Sequence, residues 1–321
     1  MDHPRATGAA TLRVSVTDRC NLRCAYCMPE AGVPLLPRGE IPRLAELAEA
    51  VRWLVEHFSV DRVKVTGGEP LVRGGLPAFV SAVAAIPGVR EVSMTTNGTR
   101  LAASARELAA AGLARVNVSL DTLDPERFRE LTRGGRVEEA LEGVEAALDA
   151  GLTPLKLNSV LRRSSFRDDV PALLSLAAEK GVEVRFIELM QTGTEAGWAI
   201  AERVTGAAVR EWLVAGGARI APLPDRPSAP ARRAAVEWNG WSVETGWIDP
   251  VSHAFCGDCD RLRLDARGRL RRCLMDEHAF PLVDLLRRGE SDVAAAASLY
   301  VCGKAPPDDM TTGSSMASIG G

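Results

Sequence analysis

The sequence predicts an α/β fold in which six strand-and-helix units form a partial (β/α)6 TIM-like barrel, followed by a C-terminal cluster-binding segment. Three observations predict the barrel: β-rich runs alternate with amphipathic segments, loops with Gly, Asn or Asp follow the runs, and polar residues gather at their ends. Such alternation is typical of a parallel sheet covered by helices. The six runs span residues 12–16, 62–66, 91–96, 115–121, 154–161 and 182–190.

Two of the connecting segments show the helical period clearly. After Pro42, a residue suited to a first helical turn, apolar residues recur at helical spacing from Leu44 to Phe58. The segment RVEEALEGVEAALDAG ends at Gly151, which suits a helix stop, and it precedes the fifth predicted strand. Both segments therefore fit helices that connect parallel strands.

The position of the polar residues favours a barrel over an open, doubly wound sheet. The carboxyl ends of barrel strands form one ring of loops in which active sites are built, whereas an open sheet uses only the crevice at its switch point. Five contributing strand ends are more than that crevice readily brings together. They carry residues 66–70 (TGGEP), 95–98 (TTNG), Ser119 with Asp121, Asn158, and 188–190.

A change of composition after about residue 220 predicts two units, a barrel over residues 1–220 and a C-terminal segment over residues 221–321. Residues 221–238 are rich in Pro, Ala and Arg, which is typical of a connection. The tail, residues 304–321, contains few large apolar residues, and this composition is typical of disorder.

Composition also excludes several classes of function. No stretch approaches the roughly 20 apolar residues of a membrane span, and the N-terminus lacks the apolar core of a signal peptide. The net charge of -3 exerts no general attraction on nucleic acid, although 39 Lys and Arg residues are enough to line a local anion site. We therefore expect a cytoplasmic protein that binds neither membrane nor nucleic acid.

Six of the seven cysteines form two groups of three. Three thiolates on a cubane cluster leave one iron without a protein ligand, whereas a structural zinc ion normally takes four ligands. Each group therefore predicts a [4Fe-4S] cluster with an open iron. The first group is Cys20, Cys24 and Cys27, and the second is Cys256, Cys259 and Cys273.

Other interpretations of the cysteines stay open. The first group also fits a zinc ion completed by a distant histidine, or three unrelated loop cysteines. The second group also fits a zinc ribbon that lacks a ligand, or a site completed by His253 or Cys302, since connectivity is not decided by sequence.

The CxxxCxxC spacing, Tyr26 before the third cysteine, and TGGEP about forty residues later resemble the radical S-adenosylmethionine superfamily. The resemblance implies that the cofactor chelates the open iron of the first cluster, and that one electron cleaves its sulfonium to a 5'-deoxyadenosyl radical. The protein then positions the radical and excludes water. Gly67 and Gly68 offer backbone that approaches a ligand closely, and Glu69 can accept a hydrogen bond from an ammonium group.

The second cysteine group adds an anion-binding feature. Strand alternation places Arg261 and Arg263 on one face of a strand between cluster ligands, where planar guanidinium groups suit phosphates. Together with the segment LRVSVTDRCNLRCAYCMP and the terminal Gly320-Gly321, this resembles the family that cyclises GTP in the first step of molybdenum cofactor biosynthesis. The resemblance implies that the radical removes the 3' hydrogen of GTP to give 3',8-cyclo-7,8-dihydro-GTP.

That resemblance implies two [4Fe-4S] clusters, with the second cluster binding the purine through its open iron. It also assigns ligand contacts, and Arg13, Lys64 and Lys156 lie within predicted strands where alternation lets them point into the barrel. The implied S-adenosylmethionine contacts are Tyr26, Gly68, Glu69, Ser119 and Met190. The implied GTP contacts are Arg13, Lys64, Thr95, Lys156, Arg261 and Arg263.

The family further implies a low-potential electron donor such as flavodoxin or ferredoxin, transfer of the product to the next pathway enzyme, MoaC, and a monomer or homodimer. The flexible end at Gly320 and Gly321 is implied to reach the cavity. Three departures from the family pattern concern the order of Arg62 and Lys64, Gln191 in place of a usual proline, and a tail that lacks a basic residue.

Two rival functions are considered. One is a peptide-modifying radical enzyme, which would more often fill its auxiliary cluster with further cysteines. The other is a non-catalytic zinc or iron-sulfur protein that binds nucleotide or transfers electrons. Iron content distinguishes the radical enzyme from the second rival, because two cubane clusters hold about eight irons.

Overall fold

The computed structural model describes residues 10–192, 196–225, 229–257, 259–304 and 311–312. Its centre is a set of six parallel strands, each paired with the next along the chain. The strands are β1 (Ala10–Ser15), β2 (Val60–Thr66), β3 (Glu91–Thr96), β4 (Arg115–Ser119), β5 (Lys156–Leu161) and β6 (Glu183–Glu188). The six predicted strands are confirmed.

Helices connect these strands and cover the outer face of the sheet. They are α1 (Leu44–Phe58), α2 (Leu76–Ala84), α3 (Ala105–Ala110), α4 (Pro125–Thr132), α5 (Val137–Asp149) and α6 (Phe166–Lys180). The two helices predicted from periodicity are confirmed as α1 and α5. After α5, Gly151 has a φ of 73°, a left-handed conformation that favours glycine and ends the helix.

The remainder of the chain adds five strands to the same sheet, a separate two-stranded sheet of residues 191–192 and 311–312, and four helices within the described residues. After β7 (Gln191–Thr192) come α7 (Ala196–Glu202), α8 (Gly206–Ala215), β8 (Arg219–Pro222), β9 (Arg232–Trp238) and β10 (Trp241–Ile248). They are followed by β11 (Arg261–Leu264), β12 (Leu270–Arg271), α9 (Leu282–Arg288), α10 (Val293–Cys302) and β13 (Thr311–Thr312).

These later strands extend both edges of the barrel. On one side β10 pairs in parallel with β6 and is followed by antiparallel β9 and β8, while on the other β11 pairs in parallel with β1. The resulting order is β12-β11-β1-β2-β3-β4-β5-β6-β10-β9-β8, with β12 and β8 as edges among the described residues. The eleven-stranded sheet is not closed by hydrogen bonds, which confirms the partial barrel.

Alternation along the strands separates an apolar outer face from a polar inner face. Leu12 and Val14 of β1 are fully buried under the helices, whereas Arg13 between them has the opposite orientation. The same period places Val63 and Val65 of β2 in the apolar core. The hydrophobic core therefore lies between sheet and helices, and the barrel interior is left to polar side chains.

None of the described helices combines the length and the apolar composition that a bilayer span requires. We propose the division near residue 220 as a boundary between a barrel and a C-terminal segment. It falls within β8, so the strands of both parts belong to one sheet.

Candidate active site

The first cysteine loop follows β1 and packs against the TGGEP segment that follows β2. The backbone N–H of Gly68 donates to the carbonyl oxygen of Thr17 at 2.7 Å, and that of Glu69 donates to Arg19 at 2.8 Å. A Cβ atom on Gly68 would lie well inside van der Waals contact with the Arg19 carbonyl. The close backbone approach that the structure shows is therefore to the loop just before Cys20, which this glycine holds in place.

Glu69 is a buried carboxylate that joins the loops after β2 and β3. Its Oε1 accepts hydrogen bonds from the Thr96 hydroxyl at 2.7 Å and the Leu71 N–H at 3.0 Å, and its Oε2 accepts from the Asn97 N–H at 2.7 Å. Burial raises the pKa of Glu69, although these hydrogen bonds oppose the shift. Glu69 thus places a buried, hydrogen-bonded carboxyl group at this edge of the barrel.

Tyr26 connects the cysteine loop to the ends of β4 and β5. Its hydroxyl donates to Asp121 Oδ2 at 2.7 Å, and Asp121 Oδ1 accepts from the Val160 N–H at 2.7 Å. Nearby, Ser119 and Asn158 are register partners at the carboxyl ends of these strands. Asn158 Oδ1 is buried and has no hydrogen-bond partner among the described residues, so this edge offers an acceptor that a bound ligand would satisfy.

The three thiols of the first loop lie close enough to influence one another. Burial raises the pKa of Cys24 well above its ordinary value, and the charges of Cys27, Asp121 and Cys20 raise it further. Cys20 accepts a hydrogen bond from the backbone N–H of Leu22 at 3.4 Å. Because metal ligation requires thiolates, a cationic centre would relieve the cost of deprotonating this group.

Neither cysteine group converges on one point. No three His, Cys, Asp or Glu side chains of the described residues are placed to hold a metal ion. In a cubane cluster each cysteine binds a different iron, so its sulfurs do not have to meet at a single centre. The thiols of each group lie near one another and are the ligand type that such a cluster takes.

Inward-facing cations lie side by side within the barrel. Arg13 of β1 is the register partner of both Lys64 of β2 and Arg263 of β11. Burial lowers the pKa of Lys64 well below its ordinary value, and the charges of Arg13, Arg115 and Arg185 lower it further. Burial, and then the charge of Arg13, likewise lower the pKa of Arg263. An anion bound between these side chains would offset the electrostatic repulsion among Arg13, Lys64 and Arg263.

Lys156 enters the interior with a carboxylate partner. Its ammonium donates to Glu183 Oε2 at 2.7 Å, and the lysine side chain is only 1% exposed. Burial favours protonation of Glu183, but the charge of Arg185 and the Lys156 hydrogen bond prevail and lower the pKa of Glu183 to about 2. Asn117 separates Lys156 from Thr95 in the register of the sheet. The predicted contacts Thr95 and Lys156 thus lie in one layer of the barrel, on β3 and β5 with β4 between them.

The second cysteine group is placed by β11 and β12. Arg261 Nε and the ammonium of Lys304 each donate to Cys259 Sγ at 3.3 Å. Burial alone would raise the pKa of Cys259, but the charges of Arg261 and Lys304 lower it overall. Burial raises the pKa of Cys256, and the neighbouring Cys273 and Cys259 add to this effect. The three thiols therefore form a group with cations beside it.

Two alternative ligands of the second group lie on the surface. His253 is exposed, and so is Cys302 at the end of α10. Arg261 also stacks over the ring of Phe255, with its guanidinium carbon 4.9 Å from the ring centroid. This contact fixes the arginine beside the cysteine group.

The two cysteine groups lie at opposite ends of one pair of strands. β1 and β11 run in parallel, with Thr11 opposite Arg261. Cys259 precedes the start of β11, whereas Cys20 follows the end of β1 at Ser15. The strand from Thr11 to Ser15 rises about 13 Å, and the inward cations lie within this interval.

Two departures from the family pattern have structural consequences. The guanidinium of Arg62 donates to Asp260 Oδ2 at 2.7 Å, so this residue links β2 to the segment before β11. Gln191 pairs with Thr311 in the small parallel sheet of β7 and β13. Unlike the proline that is usual at this position, Gln191 has a backbone N–H. The tail residues Gly320 and Gly321 lie outside the described residues.

Three cations of the site were not predicted from the sequence. Met190 was predicted as a site residue, but its residue type alone does not indicate a role. Arg115 and Arg185 act on the pKa of Lys64, and Lys304 contacts the second cysteine group. Strand alternation could have found Arg185, which lies two residues after Glu183 in β6. No sequence pattern around Lys304 indicates its role. Met190 is half-buried in the short connection between β6 and β7.

Comparisons with known proteins agree with this architecture. Residues 14–177 match the model of the radical SAM superfamily, and residues 182–304 match Molybdenum Cofactor Synthesis C. The structure of SuiB from Streptococcus suis, bound to S-adenosylmethionine, resembles the chain with a TM-score of 0.59 and 13% identity, over 90% of this chain and 67% of that one. At that identity the likeness concerns the fold. The chain belongs to the radical SAM superfamily.

Relatives with higher sequence identity identify the family within this superfamily. The GTP 3',8-cyclase of Pelotomaculum thermopropionicum is 45% identical over 92% of this chain and 91% of its own length. That of Moorella thermoacetica is 42% identical over 97% of both chains. Within the superfamily, the chain belongs to the family of the GTP 3',8-cyclases.

Proposed function

We propose that this enzyme cyclises GTP to (8S)-3',8-cyclo-7,8-dihydroguanosine 5'-triphosphate, the first step of molybdenum cofactor biosynthesis. The observation that carries the proposal is the placement of inward cations between two three-cysteine groups at opposite ends of β1 and β11. A triphosphate is an anion that such a row of cations can bind. Membership of the GTP 3',8-cyclase family supports the same reaction.

The carboxyl end of the barrel would hold the first cluster and S-adenosylmethionine. Cys20, Cys24 and Cys27 would ligate the cluster. Gly68 keeps the TGGEP segment against their loop, and Asp121 holds Tyr26 there. Glu69, Ser119 and Met190 would complete the cofactor site from the ends of β2, β4 and β6. Held at this end by Cys20, Cys24 and Cys27, the cluster with S-adenosylmethionine would supply the radical chemistry that removes the ribose 3' hydrogen.

The interior of the barrel would bind the triphosphate. Arg13, Lys64 and Arg263 form a contiguous row across three strands, and planar or compact cations in such a row neutralise phosphate charge. Thr95 and Lys156 would contact the nucleotide from the opposite side. Lys156 differs from the row because Glu183 already compensates its charge.

The amino end of β11 would hold the second cluster. Cys256, Cys259 and Cys273 would ligate it, and a cluster with three protein ligands has an iron available to the purine. Arg261 lies between the cluster ligand Cys259 and the row of cations, because it donates to the sulfur and precedes Arg263 in β11. This arrangement would orient the base at one end and the ribose towards the other.

The remaining partners follow from the family. We propose that a low-potential carrier such as flavodoxin or ferredoxin reduces the first cluster, that MoaC receives the product, and that the enzyme acts as a monomer or homodimer. The terminal Gly320 and Gly321 would reach the cavity from the chain end.

The proposal is tested by anaerobic incubation of the reconstituted enzyme with dithionite, S-adenosylmethionine and GTP. We expect about eight irons per chain, and cyclised GTP in proportion to 5'-deoxyadenosine. Omission of GTP provides the control. Equal 5'-deoxyadenosine without GTP, or stoichiometric zinc without iron, would contradict the assignment.

A further inference from the structure

Lys304 belongs to the second cysteine group although it lies beyond α10. Its ammonium donates to the carbonyl oxygen of Cys259 at 3.0 Å, to Cys259 Sγ at 3.3 Å and to the carbonyl oxygen of Arg261 at 2.7 Å. A lysine ammonium carries three N–H donors, which matches these three acceptors. The contacts hold the residue after α10 against the loop that leads into β11.

Lysine is an uncommon choice in this chain. Of 39 basic residues only four are lysines, namely Lys64, Lys156, Lys180 and Lys304. An ammonium is a compact charge with donors that diverge, whereas a guanidinium presents a planar fork. Three acceptors gathered around one point suit the ammonium, which explains lysine at position 304 in a chain that otherwise uses arginine.

The helix that precedes Lys304, α10, is held against the segment around Cys273. Arg272, the neighbour of Cys273, donates to the carbonyl oxygen of Tyr300 at 3.3 Å, and the Tyr300 hydroxyl donates to the carbonyl oxygen of His278 at 2.8 Å. The backbone N–H of Arg272 also donates to the Tyr300 hydroxyl at 3.4 Å. Lys304 is therefore positioned by the end of a docked helix.

The sulfur atoms at the two ends of the barrel receive different donors. Cys259 Sγ accepts from two cations, Arg261 and Lys304, whereas Cys20 Sγ accepts from the neutral N–H of Leu22. Hydrogen bonds to the sulfurs and local charge set the reduction potential of an iron-sulfur cluster. Reduction adds negative charge, which nearby cations stabilise.

We propose that Lys304 is a positioning residue that raises the reduction potential of the second cluster above that of the first. The inference rests on the proposed function, because it requires a cluster on Cys256, Cys259 and Cys273. The step is a one-electron reduction from the 2+ to the 1+ cluster, with no bond formed or broken, and dithionite supplies the electron in the test. The second cluster then accepts an electron before the first.

The test is a potentiometric titration of the reconstituted holoenzyme followed by electron paramagnetic resonance. We expect two one-electron waves in the wild type, with the higher wave assigned to the second cluster because GTP perturbs its spectrum. Lys304→Met should weaken reduction of that cluster about tenfold, which is about 59 mV for a one-electron couple. Lys304→Arg should restore most of the shift, and the surface variant Lys180→Met should move neither wave.

Iron content separates failure of the inference from failure of the proposed function. About four irons in the wild type would contradict the second cluster itself. Eight irons with an unchanged higher wave in Lys304→Met, or a wild type in which the GTP-sensitive wave is the lower one, would overturn the role of Lys304. If Lys304→Met does not retain the cluster, Lys304→Gln decides the question, since it keeps two donors without the charge. A lowered wave supports the inference and an unchanged wave overturns it.

Discussion

The first cysteine group lies beside carboxylates, and the second lies beside cations. Burial raises the pKa of Cys20 and Cys24 in the first loop, and the charges of Glu69 and Asp121 raise it further. In contrast, the charges of Arg261 and Lys304 overcome burial and lower the pKa of Cys259. The same ligand type therefore faces opposite electrostatic surroundings at the two ends of one barrel. A cationic sulfonium cofactor suits the first end, and an anionic nucleotide suits the second.

The two tyrosines of the chain emphasise this comparison. Tyr26 donates to Asp121 at 2.7 Å beside the first group, and Tyr300 donates to the carbonyl oxygen of His278 at 2.8 Å beside the second. Each hydroxyl connects a cysteine-bearing segment to a neighbouring element. Each end thus has a half-buried tyrosine as a polar support of its own, which makes the two ends separable by mutation.

The largest effect should come from removing one ligand at either end. Cys24→Ala should lower iron from about eight to about four per chain and reduce formation of 5'-deoxyadenosine on the order of a thousandfold or more. Cys259→Ala should lower iron equally but retain cleavage of S-adenosylmethionine, with dithionite as reductant, at the level of the wild type without GTP, while cyclised GTP is lost. Iron assay and chromatography of both products measure this. Loss of cofactor cleavage in both variants would break the proposed separation of roles.

Removing a cation between the two ends should affect only the nucleotide. Arg263→Ala should weaken GTP binding about a hundredfold, or about 2.7 kcal/mol, because a charge-assisted contact is lost in a buried site. Arg263→Lys, which keeps the charge but not the fork, should lose about tenfold. Anaerobic equilibrium dialysis of GTP and of S-adenosylmethionine is the measurement. An equal loss of affinity for both ligands would indicate general damage to the barrel.

Substitution of Tyr26 and of Tyr300 should give smaller effects, each at its own end of the barrel. Tyr26→Phe leaves Asp121 without its hydroxyl donor and should weaken S-adenosylmethionine binding about tenfold, with GTP binding unchanged. Tyr300→Phe is the matched variant at the other end and should reduce retention of the second cluster while leaving cofactor affinity unchanged. Equilibrium binding and iron content report both. The comparison is weakened if each variant affects both ligands alike.

Substitution of Glu183 should have the smallest effect on ligand binding but a clear effect on stability. Its depressed pKa of about 2 means that its contribution is present above about pH 4.5 and is lost as the pH falls towards 2. Glu183→Gln should therefore destabilise the metal-free protein by up to about 3 kcal/mol at pH 7, and the difference from wild type should vanish near pH 2. Urea unfolding at several pH values measures it. A difference that is constant with pH would exclude the Lys156 pair as its cause.

Local patterns predicted much of this molecule. Strand period and helix spacing located the six barrel strands, α1 and α5, because these signals repeat within a few residues. The cysteine spacing predicted two groups of three, and alternation placed Arg261 and Arg263 on the same face of β11. These features depend on neighbours in sequence.

Other features could not be obtained in this way. The sequence suggested only short β-like pieces after residue 220, and their addition to both edges of the barrel was not predicted. The contact of Gly68 with the carbonyl of Arg19 in the preceding loop was not predicted. Lys304 was assigned no role because nothing around it indicates its partner.

The sequence alone thus determined which chemical groups are present and the strand, helix or loop that carries each. Only the tertiary structure decided which of them meet, as when β11 pairs with β1 and the Thr11 hydroxyl donates to Asp260 at 3.3 Å. The physical reason is that secondary-structure periods are local, whereas charge and hydrogen bonding act between residues that folding brings together from distant parts of the chain.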